Sequence, residues 1–233
     1  MTETEFPVVF ALFPGVTQLD FTAPAEVFAR LPGARLVLAS TAGGQIETPG
    51  ITFAHVERLA DVEECALLCV PGGFGTIDAM GDPVYLESLR RLAAKARYVT
   101  SVCTGSLLLG AAGLLRGKRA ACHWAWREML STFGAEPDPA RVVRDGNLFS
   151  GGGVTAGIDM ALTLMAEIAG EDFAQTVQLA LEYAPEPPFA SGRPELARAE
   201  ILAAARSRMQ ALGAGREAAA QRAADVLRER ASV

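Results

Sequence analysis

The 233-residue sequence has no surplus of basic residues. Its 21 Lys and Arg face 27 Asp and Glu, a net charge of −6. A nucleic-acid binder ordinarily carries a basic face, and no basic stripe interleaved with aromatics occurs, so that class is not expected. Long apolar runs are also missing. Each is broken by Gly or a charge before membrane-spanning length, which argues for a soluble protein with no membrane partner. The start, MTETEF, is acidic and polar and lacks the pattern of a secretory leader. Cysteine is scarce. Cys65, Cys69, Cys103 and Cys122 are too few for a disulfide framework in a chain this long, which makes a reducing cytoplasm the expected compartment. No second pair completes a zinc set with Cys65 and Cys69, and neither a dinucleotide fingerprint nor a Walker motif occurs. No metal and no cofactor are expected.

Half of the residues are hydrophobic, enough for one large α/β core with an appendage. Over the first 190 residues, strand-like and helix-like segments alternate. FPVVFALF (6–13) is a near-continuous apolar run, as a parallel strand covered on both faces requires. TAPAEVFARL (22–31) reads as a helix capped by Thr22, with Pro24 in its first turn. RLVLAS (35–40) and ALLCVPGG (66–73) read as the second and third strands. Asp82-Pro83 opens a helix to about Lys95, and YVTSV (98–102) is the fourth strand. A helix over 104–115 follows, with Gly117 as its stop signal. A small strand near 120–122 and a helix over 124–133 come next. Asp145-Gly146 marks a hairpin within 141–153, and helices are expected over 155–169 and from 172 to about 183. Residues 184–194 form a Pro-rich break. The Ala/Arg/Glu-rich stretch 191–233 reads as a helical extension, separate from the 1–190 domain, docked on that domain or on a partner subunit. The alternation predicts a mostly parallel sheet with helices on both faces and ligands gathered at the carboxyl ends of the strands.

Three suspicious segments fall at those ends. Cys103 sits on a strand-to-helix elbow, where the unpaired N–H groups and dipole of the next helix favour a thiolate and should depress its pKa. Gly105 and Ser106 leave the approach uncrowded. The alternative is a packed structural thiol. PGGFG (71–75) can turn backbone donors toward a cleft, with Thr104 N–H as a second donor, or can be only a tight turn. Asp20, between Leu19 and Phe21, would have its pKa raised by apolar neighbours and suit proton shuttling, or would merely cap a helix. Of the two histidines, His55 has no partner pattern. His123, in AACHWAW, either approaches Cys103 as a Cys–His pair or is simply packed between indoles.

LFPGVTQLDFTAP, CVPGGFG, YVTSVCTGSLLLGAAGLL, HWAWRE, VVRDGNLFSGGGVTAGID and LEYAPEPPF together resemble the PfpI-like superfamily, which has the class I glutamine amidotransferase-like fold. Within it they are most similar to the isocyanide hydratases, over roughly residues 6–190. The resemblance implies a flavodoxin-like three-layer α/β sandwich, normally a homodimer. It implies Cys103 as nucleophile, Asp20 as its acidic partner, and backbone donors from Gly73 and Thr104. It also places Val154 as a backbone neighbour of the thiol. Gly72, Gly73, Phe21, Phe74 and Val154 would line a mainly apolar pocket for a small isocyanide. Many members have Glu where this chain has Asp20 and His where it has Thr104, departures that count against protease, glyoxalase or deglycase activity. The expected reaction is hydration of R–N≡C to an N-substituted formamide through a Cys103 thioimidate. An amidase or glyoxalase using His123 is the second reading, and a redox or ligand sensor without catalysis the third. An AraC-type regulator would need a helix-turn-helix module, for which the stretch after 190 is too short and plain.

Overall fold

The structure is a computed structural model that describes residues 5–231. Residues 1–4, most of the MTETEF start, and 232–233, the tip of the expected extension, lie outside the described residues. Strand β1 (Phe6–Ala11) is buried along nearly its whole length, because it is flanked by parallel partners on both sides and helices cover the sheet. Helix α1 follows at Leu19–Phe28, then β2 at Ala34–Ser40, β3 at Gly44–Thr48 and β4 at Ile51–Arg58. A short 3₁₀ turn over Leu59–Asp61 leads to β5 (Leu67–Val70), α2 (Thr76–Ala79), α3 (Pro83–Lys95), β6 (Tyr98–Val102) and α4 (Gly105–Ala111). Next come β7 (Arg119–Ala120), a 3₁₀ segment over Arg127–Phe133, β8 (Glu136–Pro137), β9 (Val142–Asp145) and β10 (Leu148–Gly151). The chain finishes in helices α5 (Ala156–Ala169), α6 (Glu171–Ala180), α7 (Ala199–Leu212) and α8 (Arg216–Ala231).

Eight strands form one sheet in the order β3-β4-β2-β1-β5-β6-β10-β9, while β7 and β8 pair separately. The six inner strands run parallel, and each edge strand, β3 and β9, is antiparallel to its neighbour. Helices α1, α5 and α6 pack together as one flanking layer; α2, α3, α4 and α8 form the other. This is the flavodoxin-like α/β sandwich that the sequence leads one to expect. Its consequence for function is positional: β1, β5, β6 and β10 are sheet neighbours, so the loops after them open at one edge of the sheet.

Several elements differ from the sequence reading. α1 begins three residues early, so Thr22 lies inside the first turn, donating its Oγ1–H to the Gln18 carbonyl at 2.9 Å, and does not cap. Pro24 is inside the helix, where it forgoes a backbone bond but packs close to Gly157 of α5. The shift puts Asp20 in the first turn of α1. Strands β3 and β4 intervene before the expected third strand; they bury only alternate side chains such as Ile46 and Val56. The third strand itself stops at Val70, and residues 124–126 form turns that precede the 3₁₀ segment. α4 ends at Ala111, and turns carry the chain from there to Gly117. Asp82 caps α3 as expected, its Oδ1 accepting from Val84 N–H at 2.9 Å and Tyr85 N–H at 3.1 Å. The hairpin turn pairs Asp145 with Leu148 across Gly146 (φ 62°) and Asn147. Among the described residues no helix is long and apolar enough to cross a membrane.

Candidate active site

Cys103 leaves β6 with φ 59°, a left-handed conformation that side chains other than glycine rarely adopt. Its N–H donates to Gly151 O at 3.0 Å, which anchors the elbow to the end of β10. The elbow is tightly built rather than open. A Cβ on Gly105 would come within 2.0 Å of Val70 O, and Ser106 is fully buried with its Oγ 2.8 Å from Ser101 Oγ. The uncrowded approach expected of these two residues is therefore absent, because Gly105 packs α4 against the end of β5 and Ser106 ties it to β6 and to the Ala121 carbonyl.

Asp20 and Cys103 meet at this elbow. The Asp20 carboxyl is 1% exposed, and its Oδ2 accepts Gly72 N–H at 2.9 Å. Its Oδ1 is buried without a hydrogen-bond partner, and the carboxyl lies close enough to the Cys103 thiol for the two to shift each other's titration. Burial lifts Asp20 from the ordinary 3.8 to about 7, while the Gly72 hydrogen bond and the Cys103 thiol pull it back only in part. The raised carboxyl is as expected; the depressed thiol is not. Cys103 is pushed well above the usual thiol range, first by burial, then by the negative charge of Asp20 and by Cys122, and the Thr104 N–H offsets this only partly. Helix α4 spans seven residues, and its N-terminal donors do not outweigh desolvation at a thiol 5% exposed.

The PGGFG loop closes over the pair. A Cβ on Gly72 would sit 2.5 Å from Thr104 N and 2.9 Å from Asp20 Oδ2, so only glycine fits there. Gly73 N–H donates to Thr104 Oγ1 at 3.0 Å, so this amide is engaged by a side chain of the site itself. Thr104 Oγ1–H in turn faces Gly73 O at 3.3 Å. Of the apolar candidates, Phe21 is 1% exposed and packs edge-on against Phe53; Val154 is half-buried, and Phe74 is nearly half exposed. His123 does not pair with the thiol: its Nδ1 accepts Ala125 N–H at 3.3 Å, its ring lies against Trp124 and Trp126, and burial lowers its pKa to about 4. His55 is exposed on β4, far along the sheet from the elbow. Among the described residues no cluster of His, Cys, Asp and Glu is arranged to hold a metal ion.

One neighbour of the site went unnoticed in the sequence. Arg216, at the start of α8, is 1% exposed, and its Nη2 donates to Gly73 O and Thr76 Oγ1, each at 3.2 Å. Its guanidinium lies 4.0 Å from the centre of the Trp126 ring. In the sequence it is one arginine among many in an Ala/Arg/Glu-rich stretch, and the only local signal is the glycine-rich turn before it, with Gly215 at φ 85°.

The DJ-1/PfpI family model matches residues 7–167, which contain Asp20, Gly72, Gly73, Cys103 and Thr104. The chain belongs to the DJ-1/PfpI family. A curated family relative, the isonitrile hydratase of Pseudomonas putida, is 52% identical over 202 residues, covering 85% of this chain and 88% of its own. A THiJ/PfpI family protein from Pseudomonas syringae superposes with a TM-score of 0.89 at 35% identity, over 95% of this chain and 91% of that one. Drosophila melanogaster DJ-1beta shares the family fold at a TM-score of 0.70 and 24% identity. It is covered completely but spans only 78% of this chain, so about a fifth of the residues described here have no counterpart in it.

Proposed function

We propose that this protein is an isocyanide hydratase that adds water to R–N≡C to give an N-substituted formamide, with Cys103 as nucleophile. The relative at 52% identity supports the reaction, and the Asp20 carboxyl on the Cys103 thiol is the observation that carries the mechanism. An isocyanide carbon accepts a nucleophile and a proton at the same atom. A neutral thiol beside a carboxylate offers both. The Cys103 sulfur forms the bond to carbon while its proton passes through Asp20 to that carbon, giving the thioimidate Cys–S–CH=N–R. Water then adds to the same carbon, Asp20 taking its proton and returning one to nitrogen. Loss of the sulfur releases R–NH–CHO and regenerates the thiol. Every atom of isocyanide and water is accounted for with no oxidant, metal or cofactor. Thr104 holds the Gly73 peptide in place, and Phe21, Phe74 and Val154, with Gly72 and Gly73, form the apolar wall against R.

The deciding experiment incubates wild type and Cys103→Ala with an aromatic isocyanide and follows formamide. Formamide from wild type alone is the expected result; formamide from both removes the nucleophile. The amidase or glyoxalase reading loses its base, because His123 is held near pKa 4 and bonded within its own loop. We also infer a homodimer in a reducing cytoplasm. Leu179, Phe189 and Leu196 stand exposed around the Pro-rich segment, and all four cysteines are free and buried. Sedimentation at micromolar concentration should give twice the chain mass, and a monomer would refute the dimer.

A further inference from the structure

We propose that Arg216 is a positioning residue of the active site: α8 brings in a buried cation that fixes the Gly72-Gly73 loop and electrostatically supports the anionic Cys103–Asp20 pair. The proposal deepens the nucleophile reading above and rests on it.

The first support is connectivity. Gly73 O accepts from Arg216 Nη2 at 3.2 Å, from Thr76 Oγ1 at 2.8 Å and from Thr104 Oγ1 at 3.3 Å. Thr104 directly follows the nucleophile, and Gly72, the residue before Gly73, supplies the N–H that binds Asp20. One carbonyl thus ties the loop on Asp20 to the residue after Cys103, and Arg216 is its only cationic donor among the described residues. The second support is cost. Arg216 Nε and Nη1 are buried with no hydrogen-bond partner, and no carboxylate bridges the guanidinium among the described residues. A buried cation with two unspent donors is expensive unless a negative charge forms nearby. The charges that can form are those of the reaction. Burial pulls the Arg216 guanidinium below its ordinary pKa, and negative charge at Cys103 or Cys122 pulls it back up. The other titratable groups facing the cluster are Asp20 from α1, His123, neutral and between the indoles, and Arg127, which acts on Cys122. Apart from Asp20, none supplies a standing negative charge. The third support is delivery. A Cβ on Gly213 would meet Trp126 Nε1 at 2.9 Å, so the α7–α8 turn lies directly on the indole over which Arg216 stacks.

The test reads the thiol without any isocyanide. Alkylation of Cys103 by iodoacetamide is followed across pH, by mass of the Cys103 peptide, in wild type and in Arg216→Met, Arg216→Gln and Arg216→Lys. Thermal unfolding of each variant is recorded in the same buffers. Loss of the charge should raise the alkylation midpoint by about one pH unit in the Met and Gln variants, and Lys should restore most of it. A change confined to the plateau rate, with the midpoint unmoved, reports access alone and overturns the proposal. Neutral variants that do not fold beside a folded Lys variant would make Arg216 a folding residue, and would overturn it too. Absence of hydratase activity in wild type would sink the reaction assigned above and leave this titration standing.

Discussion

A carboxyl lifted to about 7, beside a thiol that is harder still to ionise, sets the order in which protons leave the site. In the proposed mechanism the reactive form holds one proton between the two groups, so kcat/KM should rise with pH to a midpoint near 7 and then hold a plateau into the alkaline range. Asp20→Asn should remove that limb and lower kcat about 100-fold or more. Stability should move the other way. Because the folded protein binds the Asp20 proton more tightly than the unfolded chain, its contribution is complete below pH 3.8 and is lost as pH rises through about 7. Lifting a carboxyl this far corresponds to ~4 kcal/mol at most. Asp20→Asn should therefore be more stable than wild type at pH 8 and no more stable at pH 4, checked by urea denaturation at both. At Gly72 an added methyl has no room between Thr104 and Asp20, so Gly72→Ala should lower kcat at least tenfold in a steady-state assay. Asp20 and Cys103 were both legible in the sequence because each follows a plainly apolar strand. The sign of the thiol's shift was not legible, because it depends on burial and on a carboxylate that comes from another element.

At the level of elements, legibility follows burial. β1, β5 and β6 are covered on both faces and stand out as apolar or β-branched runs, while β3 and β4, at one end of the sheet, carry Gln45, Glu47, Thr52 and Glu57 and give no such run. The start of α1 was misplaced because Thr22 and Pro24 suit a helix beginning as well as they suit one already under way. Asp82-Pro83 left no such ambiguity. Asp82 spends one carboxylate oxygen on two α3 amides and the other on Thr41 Oγ1 at 3.0 Å. Asp82→Ala should cost about 1 kcal/mol or more, measured as a shift in urea midpoint with unchanged slope.

Across the whole molecule, the last helix, α8, is packed into the body, whereas α7 buries none of its residues. Ala219, Ala220, Ala223 and Ala224 form a buried stripe along α8, which packs on α2, α4 and the 3₁₀ segment. Small side chains give this face a weak hydrophobic signature, and Arg216 meets Trp126 across ninety residues of chain, a distance no local pattern spans. Ala220→Glu places a charge in that contact and should undock α8. The expected readouts are a loss of stability of about 2 kcal/mol or more and a red shift of tryptophan emission as Trp126 is uncovered.

The elbow itself imposes a choice between rigidity and reactivity. Cys103 is one of only three non-glycine residues at positive φ among those described. Any side chain there is held against the preference of its own backbone, whereas glycine would rest in it without strain. Selection for a sturdier fold alone would thus favour erasing the thiol. The proposed nucleophile therefore sits where the fold alone would prefer glycine, and a collection of random variants sorted only for heat resistance should discard the Cys103 thiol before it disturbs the strands around it.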